Sequence, residues 1–409
     1  MIYLDHAAAT PVSPKALAAM QPYFSEAFFN PSAPYLPAKR VREAYEGAKD
    51  RLAHVIGAKG VDLVVTAGAT ESINLAFTAL DSAEAPVASP RVLVLATEHS
   101  AVLEAAKRYP YQLVKVDKNG LIDLADLRKK LVPSVEFISV SLANNELGTI
   151  QPLAEISEIV RQERQNRYKG GRRTPLYLHT DASQGLSLLD INVARLGVDL
   201  LTLNAAKCGG PKGVGALYVS HGIKLRPAIV GGGQERGLRS GTENVPGLIG
   251  FAAATEDAKK HLSSHRKQYQ EMASVLRRGL AHISIVTQNS EKVKHKQGQN
   301  TEIAINDPIF LGSPKHQLAS FVPVCFPGLD AERLIYKLES RGVLVSTGAA
   351  CAANKGTKSH VLAAVGLSDA EIAGSLRISL GSTNTLDQIR EAAAIIAETV
   401  AQEYQRLAK

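Results

Sequence analysis

Leu176-Tyr-Leu-His-Thr-Asp181-Ala-Ser-Gln184 and Val198-Asp-Leu-Leu-Thr-Leu-Asn204-Ala-Ala-Lys207 each read as a short apolar run that ends in a polar or charged side chain. Neither run alternates strictly between polar and apolar, as expected of strands covered on both faces by helices. The strands they predict are Leu176–Thr180 and Val198–Leu203. On either side, between about Asp62 and Ser220, similar runs alternate with helical patterns: Leu63–Thr66, Arg91–Ala96, Gln112–Val116, Glu136–Ala143 and Ala216–Val219. This alternation predicts an α/β fold with a mostly parallel, seven-stranded, doubly wound sheet flanked by helices. Ligand chemistry is then expected at the carboxyl ends of the strands.

After about Ala258 the texture changes. A long polar helix is expected over Glu256–Leu280, followed by scattered strands and a terminal helix. Thr385 and Gln388 fit a capping box ahead of a stripe of Ile389, Ile396, Val400 and Leu407, so the C-terminus packs onto something. The chain is read as a large domain over 12–258 and a smaller α+β domain made of 1–11 and 259–409.

The 409 residues leave room for two or three domains, and 45% hydrophobic with 21% charged residues is ordinary globular usage. No apolar run approaches the ~18 residues of a membrane helix, and the start MIYLDHAAAT has no basic segment leading into an apolar one. The three cysteines are widely spaced and contain no CxxC pair, which predicts working thiols in a reducing, cytoplasmic compartment. The net charge of +8 is concentrated in Arg161–Arg173 and Lys292–Lys296. Few aromatics interleave these stretches, so they read as solvated loops rather than a nucleic-acid surface. A docking surface for an acidic partner or RNA is the alternative.

Chemistry is concentrated just after predicted strand ends. Thr66-Ala-Gly-Ala-Thr-Glu-Ser72 is a small-residue turn entering a helix, where amides could hold an anion; a helix start capped by Thr would look the same. Asp181 needs a cationic or hydrogen-bonded partner at the end of a buried strand, although a carboxylate capping a turn fits equally well. Lys207 in Asn204-Ala-Ala-Lys207-Cys-Gly-Gly-Pro-Lys-Gly213 could serve as a nucleophilic amine if desolvated. Cys351 lies in a Gly/Ala/Ser run, Ser346–Ala353, where an exposed thiol can work. Cys208 and Cys325 read as structural. A phosphate-binding helix start, an aspartate and a lysine at neighbouring strand ends together suit pyridoxal 5′-phosphate: the lysine forms the Schiff base and the aspartate keeps the pyridine nitrogen protonated.

At this level of detail the chain resembles the cysteine desulfurases, pyridoxal-phosphate enzymes of fold type I in the class V aminotransferase group. The resemblance runs nearly end to end. It includes Tyr3-Leu-Asp-His-Ala-Ala-Ala-Thr-Pro11, Asn30-Pro-Ser, Thr97-Glu-His99, Asn144-Asn-Glu-Leu-Gly148, Asp181–Gln184, Lys207 with its glycines, Gly231–Gly247, the Cys351 loop and Arg377. It implies that Lys207 carries the cofactor, Asp181 pairs with the ring nitrogen, and His99 stacks on the ring and moves protons. It further implies that Asn145 and Gln184 bond near the phenolic oxygen, Asn204 lies beside the cofactor, and Ala69 and Thr70 hold the phosphate with Thr242 of a second subunit. Arg377, with Asn145, would bind the substrate carboxylate.

The implied reaction converts L-cysteine to L-alanine and leaves a persulfide on Cys351 for an iron–sulfur scaffold or a tRNA-thiolating enzyme, in an obligate homodimer. No resident metal is implied, although Cys351 would contact a transferred iron–sulfur cluster. Where relatives usually carry Ser-x-His-Lys, this chain has Asn204-Ala-Ala-Lys207; Ala33-Pro-Tyr-Leu36 lacks a common His, and Ser382 replaces a common Arg. The alternatives are a selenocysteine lyase or other class V enzyme, and a catalytically impaired sulfur-trafficking partner.

Overall fold

Alternate residues of the central strands are buried on opposite faces, and this sets the layering. Leu63, Val65, Leu93, Leu95, Leu178 and Leu201 belong to one apolar cluster. Val64, Val92, Val94, Leu200 and Leu217 belong to another. Each buried Val or Leu contributes about 1.5–3 kcal/mol, so both faces must be covered. Helices supply the cover: Leu36–Val55 and Val245–Lys260 pack on one side, Ala69–Phe77 and Ser100–Ala106 on the other. A computed structural model describes residues 1–82, 90–281, 307–348 and 358–407.

The strands are β1 Ile2–Tyr3, β2 Leu63–Thr66, β3 Val92–Leu95, β4 Tyr111–Val114, β5 Phe137–Ser139, β6 Tyr177–Asp181, β7 Leu200–Asn204 and β8 Gly215–Val219. Seven of them form one sheet in the order β2-β8-β7-β6-β5-β3-β4. Only β8 runs against its neighbours. The expected mostly parallel seven-stranded sheet is therefore present. β5 is shorter than Glu136–Ala143, but the chain stays bonded to β6 beyond it, through Val140 N–H to His179 O and Leu142 N–H to Asp181 O.

The C-terminal part has its own sheet and core. Strands β9 Ile309–Phe310, β10 Val324–Cys325, β12 Ser346–Thr347 and β13 Ser375–Arg377 form an antiparallel sheet ordered β12-β13-β10-β9. β1 pairs in parallel with β11, Val343–Leu344. Ile2 and Leu4 consequently share a core with Met272, Leu276, Val324, Leu376, Ile389 and Ile396.

The local expectations fare unevenly. The capping box forms: Gln388 N–H bonds Thr385 Oγ1 at 3.2 Å and Thr385 N–H bonds Gln388 Oε1 at 3.1 Å, opening the helix Leu386–Leu407. Ile389, Ile396 and Val400 are buried, whereas Leu407, at the frayed end, is 49% exposed. The single helix expected over Glu256–Leu280 is two, Val245–Lys260 and Leu262–Ala281, broken at His261. The basic run Arg161–Arg173 is not a loop either. Its residues through Lys169 complete the helix Leu153–Lys169, supported by the pairs Arg161–Glu158 and Arg167–Glu163 at one-turn spacing. Lys292–Lys296 lies outside the described residues.

Candidate active site

Because β8 alone is reversed, the carboxyl ends of β2, β3, β5, β6 and β7 open onto one edge of the sheet. β7 ends at Asn204, whose Oδ1 accepts from Ala206 N–H at 3.2 Å and starts the turn Ala205–Lys207. Lys207 Nζ donates to the carbonyls of Ala7, at 2.9 Å, and Ala8. The N-terminal segment is fixed there by Gln184 Nε2 to Ala7 O at 3.0 Å, Thr10 Oγ1 to Ala206 O at 3.1 Å and Ala7 N–H to Ser379 Oγ at 2.9 Å.

Asp181 closes β6, nearly buried, with Oδ1 accepting from Ser183 N–H at 2.9 Å. His99 follows β3 as the N-cap of Ser100–Ala106. Its Nδ1 accepts from Ala101 N–H at 3.1 Å, so a neutral ring carries its proton on Nε2. Burial lowers the His99 pKa, opposed by Asp181 and reinforced by Lys207 and His360. Next to it, Glu98 is fully buried, and burial pushes its carboxyl up to about 8 despite a bond from Ser141 N–H; Asp181 adds to the rise. Glu98 Oε2 has no partner among the described residues.

β2 leads into the helix Ala69–Phe77 through Gly68, at φ +151°. A Cβ on Gly215 would sit 2.7 Å from both Gly68 Cα and Leu203 O, so only glycine allows β8 to pass so close. Threonine does not cap this helix. Gly68 occupies the N-cap, and the Thr66 hydroxyl bonds instead to Ser72 Oγ at 2.7 Å. No side chain thus competes for the amides at the helix start, which suits an anion. Glu71 receives Ala67 N–H at 2.7 Å and Arg239 Nε at 3.0 Å, tying this turn to the loop that carries Thr242.

Arg377, at the end of β13, faces the cleft from the smaller sheet and is 3% exposed. Its Nη2 donates to Asp5 Oδ1 at 2.7 Å and Nη1 to Asn145 O at 3.3 Å, while buried Nε has no partner among the described residues. Glu146, also buried, accepts from Ser359 Oγ at 2.6 Å; burial raises its pKa. A Cβ on Gly348 would meet Glu146 Oε2 at 2.6 Å. Glu146 therefore lies against both Gly348 and Ser359. Cys351 itself lies outside the described residues.

Ala69, Thr70, His99, Asn145 and Asp181 line one cleft of about 960 Å³, joined by Gln184, Asn204 and Lys207 from other strand ends and by Arg377. Thr242 is exposed and does not line it. Cys208 and Cys325 are buried, their thiols pushed by burial up to about 12 and about 11, so neither is a thiolate at neutral pH. The sequence reading gave no role to Asp5, Glu98, Glu146, Ser183 or His360. Asp5, Glu98 and Glu146 do stand within quoted motifs, next to residues singled out there. The donor set also fits the cofactor that the resemblance implies: an amine for an aldehyde, a carboxylate with one oxygen uncommitted to Ser183, and an uncapped helix start for a phosphate. Among the described residues, no group of three His, Cys, Asp or Glu is placed to hold a metal ion.

The profile of a family described as Aminotransferase class-V matches residues 2–308. The protein described as cysteine desulfurase IscS 1 of Archaeoglobus fulgidus is 36% identical, over 95% of this chain and 94% of its own length. A solved structure described as a NifS-like protein matches with a TM-score of 0.84 and 30% identity, over 97% of this chain and 98% of that one. Another, SspA in complex with cysteine, matches with a TM-score of 0.73 and 31% identity, over 93% of this chain and 99% of that one.

Proposed function

Because this chain belongs to the class V aminotransferase family, and within it to the cysteine desulfurases, we propose a division of labour among its cleft residues. The reaction removes sulfur from L-cysteine and releases L-alanine. Pyridoxal 5′-phosphate, when bound, supplies an electron sink for charge developing on the substrate carbon. Lys207 would hold it covalently, Asp181 would keep its ring nitrogen protonated, and the Ala69–Thr70 amides would hold its phosphate, with Thr242 of a second subunit completing that site. Asn145 and Gln184 line the same cleft and would bond near the ring's phenolic oxygen, although Gln184 Nε2 is engaged with Ala7 O.

Arg377 orients the substrate carboxylate, with Asp5 fixing its plane and Nε supplying an uncommitted donor. Lys207 Nζ, when not holding the cofactor, would take up and return a proton. His99, neutral because it is buried, offers Nε2–H toward the cleft. The Cys351 thiolate attacks the substrate sulfur: a sulfur–sulfur bond forms, the carbon–sulfur bond breaks, and its electron pair stays on carbon, which is protonated and leaves as alanine. Cys351 keeps the persulfide for an acceptor such as an iron–sulfur scaffold or a tRNA-thiolating enzyme. Lys358 and His360, which follow the segment 349–357, line the cleft, which supports a reach from Cys351 to substrate. We place this homodimer in the cytoplasm and retain the division into 12–258 and 1–11 with 259–409 as two domains; among the described residues, no helix is long and apolar enough to cross a membrane.

The observation that carries this assignment is the convergence of Lys207, Asp181, His99 and Arg377 on one cleft. Conversion of L-cysteine to alanine by the purified protein, lost in Cys351→Ser, is the expected outcome; an unchanged alanine rate in that variant overturns the role of Cys351. Asn204 keeps Nδ2–H to donate, but Ala206 has no side-chain donor to offer a phosphate and its N–H is taken by Asn204 Oδ1. Cofactor retention is therefore expected to be weaker than in relatives with Ser-x-His-Lys, as an apo-protein titration would measure.

A further inference from the structure

A second cavity, of about 550 Å³, lies between the helix Leu262–Ala281 and the segment 309–321. That volume suits a small organic ligand. His265, Arg266, Arg277, Arg278 and Lys315 line it, and among the described residues no Asp or Glu does. None of its arginines, nor Lys315, takes part in an ion pair among the described residues. Such a one-signed lining is unlike the active-site cleft, where Asp181, Glu71 and Glu146 face Lys207, Lys358 and Arg377.

Arg277 is the informative member. It is half-buried, with Nη2 donating to Gln317 Oε1 at 2.9 Å and Phe321 O at 3.4 Å. Its guanidinium carbon lies 4.9 Å from the Phe310 ring centroid. Nε and Nη1 have no acceptor among the described residues. Burial lowers its pKa, which reflects a cation held at a desolvation cost with no carboxylate to offset it. An oxyanion on the open side of this planar fork would offset that cost, in the geometry for which arginine is suited. Leu188, Leu189, Leu311, Leu318 and Tyr269 supply an apolar part of the remaining wall, beside polar Ser187, Gln270 and Ser274.

We propose that this cavity binds a small organic phosphate, its phosphoryl group against Arg277, Arg266 and Lys315 and its organic part against Phe310 and the leucine wall. The basic residues hold the charge and the apolar wall selects against bare phosphate. The site is separate from the cleft, so it does not depend on the catalytic assignment.

The test is calorimetric titration of the cofactor-loaded protein, whose own phosphate site is filled, with ADP and with inorganic phosphate as probes at physiological salt. Saturable binding of ADP at one site per chain is expected, with Kd below about 1 mM and at least roughly tenfold tighter than phosphate. Arg277→Gln should weaken it by about tenfold or more. The rim variant Arg266→Ala/Lys315→Ala should do the same without touching the packed Arg277, which keeps the test decisive should Arg277→Gln misfold. No saturable ADP binding, or unchanged affinity in the rim variant, overturns the proposal. Equal affinity for ADP and phosphate removes the apolar wall from it.

Discussion

In the active-site cleft, Lys207, Lys358 and Arg377 face Asp181, Glu71 and Glu146, whereas in the cavity beside Leu262–Ala281 five basic side chains face no acid among the described residues. The cleft also holds its charges at fixed points: Arg377 by Asp5, Lys207 by two carbonyls, Asp181 by Ser183 N–H. In the cavity Arg277 is held by two hydrogen-bond acceptors and a ring, and the His265 side chain, among the described residues, only by ring packing against His261 and Tyr269. A reaction needs opposite charges at set positions so that developing charge finds a partner without reorganisation. Binding an anion needs only a field of one sign and one oriented donor.

The largest effect that would sharpen this contrast is Lys207→Ala. Alanine formation from cysteine should fall by roughly a thousandfold or more, and the absorbance of bound cofactor should be lost; retention of both would remove the amine from the centre of the cleft. Arg377→Gln should raise KM for cysteine by about a hundredfold with a smaller change in kcat. A loss confined to kcat would make Arg377 something other than a carboxylate clamp.

Glu98 tests the cost of a charge without a partner. Its folded pKa of about 8 lies above the ordinary carboxylate value. The protonated form is thus favoured by folding, and this contribution is complete below the unfolded pKa and lost as pH rises through about 8. Between pH 6 and pH 8 the wild type should lose about 2 kcal/mol of stability through this group. Glu98→Gln, which mimics the neutral acid, should remove that dependence in denaturant titrations at the two values. The smallest effect expected is that of Asp5→Asn. It keeps a hydrogen bond to Arg377 but removes the charge, and should raise KM by roughly tenfold with the cofactor absorbance unchanged. No change in KM would mean that packing alone orients Arg377.

All seven central strands were legible because their runs are short and bounded by turns, and in all but the edge strand β4 burial on both faces leaves a strong local signal. Break points within helices were harder to see. Nothing in the 256–280 pattern marks His261 as a stop, and Arg161–Lys169 reads as a solvated loop until Glu158 and Glu163 are placed one helical turn away. Of the cleft, His99 is reached only through the resemblance, whereas Lys207 and Asp181 stand out as reactive groups at strand ends. Asp5 and Glu146 do not, because their importance comes from partners far away in the chain, Arg377 and Ser359. The same holds for the second cavity, whose cations look like ordinary surface charge until Phe310 and Gln317 are seen around Arg277.

The linear chain by itself determined the layered α/β architecture, the carboxyl-end position of the reactive groups and, through its ordered motifs, its family. These follow from local periodicity and from residue types whose chemistry does not depend on distant neighbours. Only the tertiary structure decided which charges are partnered and which are not: Arg377 against Asp5, Glu98 with one oxygen unbonded, Arg277 without a carboxylate. Electrostatic free energy depends on distance and burial, and both are set when β1 pairs with β11 and the two sheets close over the cleft.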